Sequence, residues 1–309
     1  MRTALVVAVL VVAAALLAVV VVLGRPRAAR FGRSGLGRRA HKIPRIIHQT
    51  VRSRDAISDR LRTHIEAIKR QNPGWEHRLY DNADVERIIR RRMPQVYAAF
   101  KRLNPEYGPA VADVARYVVV FLDGGVYLDS KSGVSRPLDE IIEPADTFLC
   151  QSGERYDWGQ YHDIPHNNGY EIMQWFIVAT ARNPLLRAVL EAVVRNIEDP
   201  ANRDQRGKIG VLRVTGPIAY SKAVYPLLAS HEHRMLPNDD ASFVYQALGN
   251  RDYWWRDYDT SRRPYYEFRR DRVLLPRKTT RPGGPAQAFR IQVDGEPTPT
   301  HDPDSYDLN

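Results

Sequence analysis

One cysteine, Cys150, stands in a chain of 309 residues. That excludes an intrachain disulfide and any cysteine-built metal site. The signatures of several large enzyme classes are missing too. There is no G-x-x-x-x-G-K-[ST] loop, no G-x-S-x-G elbow, no H-E-x-x-H pair and no G-x-G-x-x-G turn, so P-loop, α/β-hydrolase, zincin and dinucleotide-binding readings lack support. No internal repeat is present. Positions 1–41 lack acidic residues altogether and hold Arg2, Arg25, Arg27, Arg30, Arg33, Arg38 and Arg39. These seven charges make up most of the formal net charge of +10, leaving +3 for all the rest. The basic excess is therefore confined to one end, and nucleic acid is not an expected partner.

What is present fits a folded enzyme-sized chain: 43% hydrophobic and 27% charged residues lie in the range of globular proteins. Thr3 to Leu23 is an unbroken run of Ala, Val and Leu after its first residue, long enough to span a bilayer, which takes roughly 20 apolar residues. We read residues 1–24 as a single uncleaved membrane anchor, a cleavable signal peptide being the alternative. The arginines behind the run place the following chain in the cytoplasm by the positive-inside rule; the Golgi lumen is the alternative in a eukaryote. Residues 25–41 read as a basic linker, 42–279 as an α/β domain, and 280–309, rich in Pro and Gly, as a tail.

Within the domain, Ile43 to Thr50 gives a β-branched strand ending in His48 and Gln49. Ser58 to Gln71 carries Leu61, Ile65 and Ile68 at helical spacing. Asn72-Pro73-Gly74 is a turn, and Trp75 to Asp81 alternates as a second strand. Asp81 stands where it can meet a ligand at a strand end or cap the helix expected over 83–92. Further strands are expected at 148–151 and 174–179, and helices at 138–142, 185–197 and 218–228, the last with Thr215 as its N-cap and backbone N–H groups open to an anion. Residues 156–169 read as loop, and aromatics crowd with arginines from 251 onward.

The chain is organised around Ala112 to Lys131, ADVARYVVVFLDGGVYLDSK. Gly108-Pro109 opens a helix on which Val111, Val114, Val118 and Leu122 share one face and Asp113, Arg116 and Tyr117 another. Gly124-Gly125 ends it. Val126-Tyr127-Leu128 is a short buried strand, and Asp129 emerges at its C-terminal end, where open α/β sheets bind ligands. Asp113 and Arg116 need partners inside an apolar helix; they can pair with each other or serve a charged ligand.

This block resembles the signature of the DXD-containing glycosyltransferases related to the yeast initiating α-1,6-mannosyltransferase, glycosyltransferase family 32: an A-D-x-x-R-Y helix, a G-G-[VI]-Y turn and strand, then L-D-x-D. Ala112-Asp113, Arg116-Tyr117, Gly124-Gly125-Val126-Tyr127 and Leu128-Asp129 match in order and spacing; Lys131 stands where the second Asp would be. I-P-R-I-I-H-Q-T at the first strand, N-P-G-W-E ahead of the second, and Thr215-Gly216-Pro217 extend the likeness from Ile43 to Leu228. The resemblance implies a GT-A-like domain that transfers a hexose, mannose or galactose, with retention, from a nucleotide-sugar donor to a glycan or glycolipid acceptor. It implies catalytic roles for Asp129 and Lys131, and donor contacts from His48, Gln49, Asp81, Asp113, Arg116, Tyr117, Gly124, Gly125, Thr215 and Gly216. It also implies a divalent cation, Mn²⁺ or Mg²⁺, held by Asp129 and by a C-terminal histidine, for which His301 is the nearest match. Lys131 leaves three arrangements open: a metal held by Asp129 alone with water and diphosphate, the ammonium neutralising the diphosphate itself, or Lys131 paired with Asp129 or Asp123. A catalytically degenerate, membrane-anchored nucleotide-sugar-binding protein is the competing class.

Overall fold

The structure, a computed structural model, describes residues 41–55, 57–156, 159–248, 271–276 and 289–292. The expected membrane span, most of the linker, the aromatic-rich stretch 251–266, His301 and most of the tail lie outside the described residues. Among the described residues, no helix is long and apolar enough to cross a membrane.

A six-stranded sheet carries the domain. Its strands are β1 (Ile46–Thr50), β2 (Glu76–Tyr80), β3 (Gly125–Leu128), β5 (Phe148–Gln151), β6 (Phe176–Ala179) and β7 (Arg234–Leu236), in the order β2-β1-β3-β6-β5-β7. β1 runs parallel to β2 and β3, β6 is antiparallel to both β3 and β5, and β5 is parallel to β7. A separate two-stranded ladder joins β4 (Gly133–Val134) to β8 (Phe243–Val244). The class is α/β, as the sequence predicts, with a mixed sheet.

Helices cover both faces. α1 (Asp59–Gln71) starts at Ser58, whose hydroxyl accepts from Leu61 N, and buries Leu61, Ile65 and Ile68. α2 (Asn82–Arg92) and α3 (Pro94–Phe100) precede α4 (Gly108–Asp123), whose Val114, Val118 and Phe121 join the larger core with Tyr127, Phe148 and Ile177. α6 (Pro184–Glu198), with Leu186, Val189 and Leu190, packs into the same core, as do α7 (Gly207–Val214) and α8 (Pro217–Leu228) through Val211, Val214 and Val224. Opposite them, Ile47, Val126, Leu128 and Val178 meet Ile68 of α1 and Leu138 and Ile141 of α5 (Leu138–Ile141). α4 is buried around nearly its whole circumference, Asp113 and Arg116 included. The sequence suggests a two-faced helix; a helix enclosed on all sides must instead pair every charge it carries.

α3 and α7, seven and eight residues long, have no counterpart in the sequence reading, nor do β4, β7 and β8. Segments this short give too few repeats of either period to register. Thr215 is the C-cap of α7 and not the N-cap of α8, which is Gly216 with no side-chain cap.

Candidate functional site

Two glycines set where β3 emerges. Gly124 has φ +66 and ends α4, its N–H bonded to Val120 O. At Gly125, φ +104, a Cβ would stand 2.4 Å from Ile46 O. Only glycine tolerates both the conformation and the contact. The close approach is by this chain's own β1, so both glycines, expected at the donor, shape the strand that delivers Asp129.

Asp129 sits at the end of that strand with its side chain one-third exposed. Its N–H donates to Trp175 O at 2.8 Å. Oδ1 accepts from the Tyr127 hydroxyl at 3.0 Å and lies 3.1 Å from Arg116 Nη2. The Tyr127 hydroxyl also meets Thr50 Oγ1 at 3.0 Å, and the Arg116 guanidinium lies 5.0 Å over the Tyr127 ring, a cation–π contact.

Behind Asp129 the network is sealed. Arg116 Nη1 donates to Gln174 O at 3.0 Å, and Nη2 lies 3.4 Å from Asp113 Oδ1. Asp113 Oδ1 also accepts from Gln174 Nε2 at 3.0 Å, and Oδ2 from Thr215 Oγ1 at 2.9 Å. The Tyr117 hydroxyl reaches Gln174 Oε1 at 2.6 Å and Thr215 O at 2.9 Å. Asp113 and Arg116 do pair, and the same cluster holds the exposed Asp129. Burial raises both carboxyls above the usual range against the pull of Arg116. Burial works against the guanidinium's charge, but Asp129, Tyr127 and Asp113 more than offset it and raise its pKa. Two carboxyls thus share one buried guanidinium.

The other expected donor contacts are placed differently. His48 is wholly buried, with Nδ1 3.0 Å from the Tyr80 hydroxyl and Nε2 2.8 Å from Gly124 O. Because the carbonyl can only accept, Nε2 carries the proton and Nδ1 accepts from Tyr80. Burial pushes this imidazole down to about 4; it clamps β1 and β2 to the end of α4 and has no nitrogen left for a ligand. Gln49 is buried, its Oε1 accepting from His77 Nε2 at 2.8 Å and its Nε2 reaching Asp129 O at 3.4 Å. It braces the backbone of Asp129. Asp81 caps α2: its Oδ1 accepts from Asp84 N, and Asp84 returns the bond to Asp81 N, a capping box. Tyr117 is fully enclosed. The N–H groups of Thr215 and Gly216 both donate to Val211 O and so are not open to an anion.

Lys131 is buried, in the turn that Ser132 N closes on Asp129 O at 2.8 Å; its carbonyl accepts from Leu248 N at 3.1 Å. Of the acids considered for it, Asp123 is held by Arg78 at 2.7 Å and Arg92 at 2.6 Å, and Asp129 by Arg116. Sequence reasoning missed Gln174, Tyr127 and Thr50. Gln174 has a faint signal, a lone amide opening the apolar run QWFIVA. It also missed Glu171, 3% exposed, whose Oε2 has no hydrogen-bond partner among the described residues and whose carboxyl burial pushes up to about 8.

The D-x-D pair that would grip a divalent cation is Asp129-Ser130-Lys131 here, with one carboxylate instead of two. Among the described residues no three His, Cys, Asp or Glu side chains converge as a metal site. Asp129 Oδ1 is already engaged. Its Oδ2 is left as the one carboxylate oxygen that could hold Mg²⁺ or Mn²⁺, with water and the donor's phosphates completing the shell.

Residues 58–148 match the family described as glycosyltransferase sugar-binding region containing DXD motif. Inositol phosphoceramide mannosyltransferase 1 of Schizosaccharomyces pombe is 28% identical over 148 residues, covering 47% of this chain and 41% of that protein. A mannosyl phosphorylinositol ceramide synthase of Saccharomyces cerevisiae is 23% identical over 221 residues, 67% of this chain and 55% of its own. The initiation-specific alpha-1,6-mannosyltransferase of Candida albicans is 23% identical over 180 residues, 50% and 44%. The chain thus spans about half the length of the curated relatives it matches. Among solved structures, the PaToxG glycosyltransferase matches with TM-score 0.46 and 15% identity over 60% of this chain and 70% of that one. The helix, glycine turn and strand that deliver Asp129 all fall inside the segment, residues 58–148, that is similar to the DXD-containing glycosyltransferase sugar-binding region.

Proposed function

We propose that this protein is a retaining glycosyltransferase with a GT-A-like domain. It moves a hexose, mannose ahead of galactose, from a nucleoside diphosphate donor to a glycolipid or glycan. The names of the relatives favour mannose, and two of them name an inositol phosphoceramide or its mannosylated product as the glycolipid. One observation carries the reading: Asp129 is the only member of the Asp113–Arg116–Asp129 cluster that opens toward solvent, its side chain 33% exposed against 4% and 7% for the other two.

Transfer breaks the bond between the anomeric carbon and the diphosphate, which leaves with the electron pair. The acceptor hydroxyl oxygen bonds that carbon, and its proton passes to the departing diphosphate. Asp129, fixed by Tyr127 and Arg116, faces the positive charge that develops on the sugar ring. Asp113, Gln174, Thr215 and Tyr117 hold Arg116 and so position Asp129 without touching donor. Preorganised charge of this kind lowers the barrier because it need not reorient during the reaction.

Turnover of GDP-mannose and UDP-galactose by the full-length chain tests the proposal. Asp129→Asn is expected to lose about 10²- to 10³-fold in rate while staying folded, at a somewhat lower unfolding temperature because Arg116 loses its nearer carboxylate. Unchanged turnover removes Asp129 from the reaction. Lys131 favours the second reading, a degenerate binding protein, which predicts donor binding with no turnover of any sugar nucleotide. For the whole protein we propose anchoring through residues 1–24 with the domain on the cytoplasmic side. Protease accessibility in sealed vesicles distinguishes that from a lumenal domain.

A further inference from the structure

We infer that Thr50 is a specificity-determining residue, whose Oγ1 accepts a hydrogen bond from a hydroxyl group of the sugar nucleotide that Asp129 faces. The inference rests on the glycosyltransferase reading and adds a residue to the same site. Ile47, His48 and Gln49 of β1 are wholly buried, and Thr50, half-buried, is where the strand reaches solvent. β1 and β3 run parallel, with Ile47 beside Val126 and His48 beside Tyr127. Two residues on, Thr50 stands level with Asp129, one strand spacing away, about 5 Å. The two side chains share a face of the sheet. The Thr50 hydroxyl meets the Tyr127 hydroxyl at 3.0 Å, and that hydroxyl meets Asp129 Oδ1 at 3.0 Å. Thr50 Oγ1 is thus two hydrogen bonds from the Asp129 carboxylate, at the same end of the sheet.

Proton count fixes the direction of these bonds. Asp129, ion-paired with Arg116 at 3.1 Å, is a carboxylate and only accepts. Tyr127 has one proton, which goes to Asp129 Oδ1. Its oxygen then accepts, so the proton between the two hydroxyls comes from Thr50. Thr50 has spent its single hydroxyl proton inside the protein and meets a ligand as an acceptor only. That chemistry selects. The diphosphate of a sugar nucleotide is ionised and offers only acceptors, whereas its ribose and its hexose both carry hydroxyl donors. A site that bonds a ligand hydroxyl discriminates against a ligand without one, because its own polar atom is left unpaired.

Calorimetric titration of the full-length chain with GDP-mannose, UDP-galactose, GDP and UDP, in excess Mn²⁺, tests the inference. The natural chain is compared with Thr50→Val, Thr50→Ser, Tyr127→Phe and the double variant Thr50→Val with Tyr127→Phe. Thr50→Val should bind the favoured sugar nucleotide about 10-fold more weakly. Thr50→Ser keeps the hydroxyl and should stay within about threefold of the natural chain. The loss from Thr50→Val should persist in the Tyr127→Phe background, since a direct contact does not run through Tyr127. Either of two patterns supports the inference: an equal loss for the free nucleotide assigns the contact to the ribose, and a loss confined to the sugar nucleotide assigns it to the hexose. Undiminished binding by Thr50→Val overturns it. So does a loss that disappears in the Tyr127→Phe background, which would make Thr50 a support for Tyr127 alone. Both of these results leave the glycosyltransferase reading standing. That reading fails, and the inference with it, if no sugar nucleotide binds the natural chain. Should Thr50→Val not fold, Thr50→Ala gives the same comparison with Thr50→Ser.

Discussion

At Glu171 a carboxyl lies beneath Gly159 and Gly153, with one oxygen unpaired. Burial raises it from 4.5 to about 8, with Lys208 and Tyr161 pulling the other way. The folded chain therefore keeps a proton that the unfolded chain gives up, so this group's contribution falls as pH rises from about 4.5 to about 8 and is level above that. Glu171→Gln should raise the urea midpoint at pH 8 and leave it nearly unchanged at pH 4.5; an equal shift at both pH values would deny the carboxyl its buried proton. Asp113→Asn tests the neighbouring cluster. Losing the charge that faces Arg116 should cost about 2 kcal/mol in chemical denaturation and lower turnover through the positioning of Asp129. The sequence made the Asp113–Arg116 pair visible, because two opposite charges three apart on an apolar helix have to be satisfied. It left Glu171 invisible, since a carboxylate in an aperiodic loop carries no mark of whether the loop folds over it.

Elements were legible in proportion to their length. α1, α4, α6 and α8 fall within about a residue of the sequence expectation because caps and period agree, as at Ser58 and Asn183. The ends of β1 carry more meaning than its pattern suggests: His48 bonds Gly124 O on one side and Tyr80 on the other, so the residue that looks like a ligand is a clamp. No sequence rule separates the two, because both place a histidine at a strand end. Gly125→Ala should destabilise by about 2–4 kcal/mol, since the new Cβ would meet Ile46 O. A small effect on thermal unfolding would mean that β1 and β3 can part without loss.

Over the whole molecule the buried titratable groups oppose one another. Burial lowers His48 and His77 from 6.5 to about 4, so the unfolded chain takes up their protons first and stability drops as pH falls through that window. Glu171 acts in the other direction. Asp113 and Asp129, which burial also raises, act with Glu171. Above 6.5 the histidines no longer change while Glu171 still does, so urea unfolding should become easier from pH 6.5 to about 8, a decline that Glu171→Gln flattens; a steady rise up to pH 8 would contradict this. The α/β class was readable from the alternation of strands and helices. The mixed strand order was not, because β6 returns antiparallel after a long loop. The ladder between β4 and β8 has a consequence for biosynthesis. A ribosome releases Asp129 and Lys131 long before it makes Phe243 and Val244, so a nascent chain can assemble β1, β2 and β3 while the loop after Asp129 still lacks its far wall. Donor affinity should then arise as one of the last events of synthesis, and a polypeptide stopped before residue 243 would hold its early strands yet bind no sugar nucleotide.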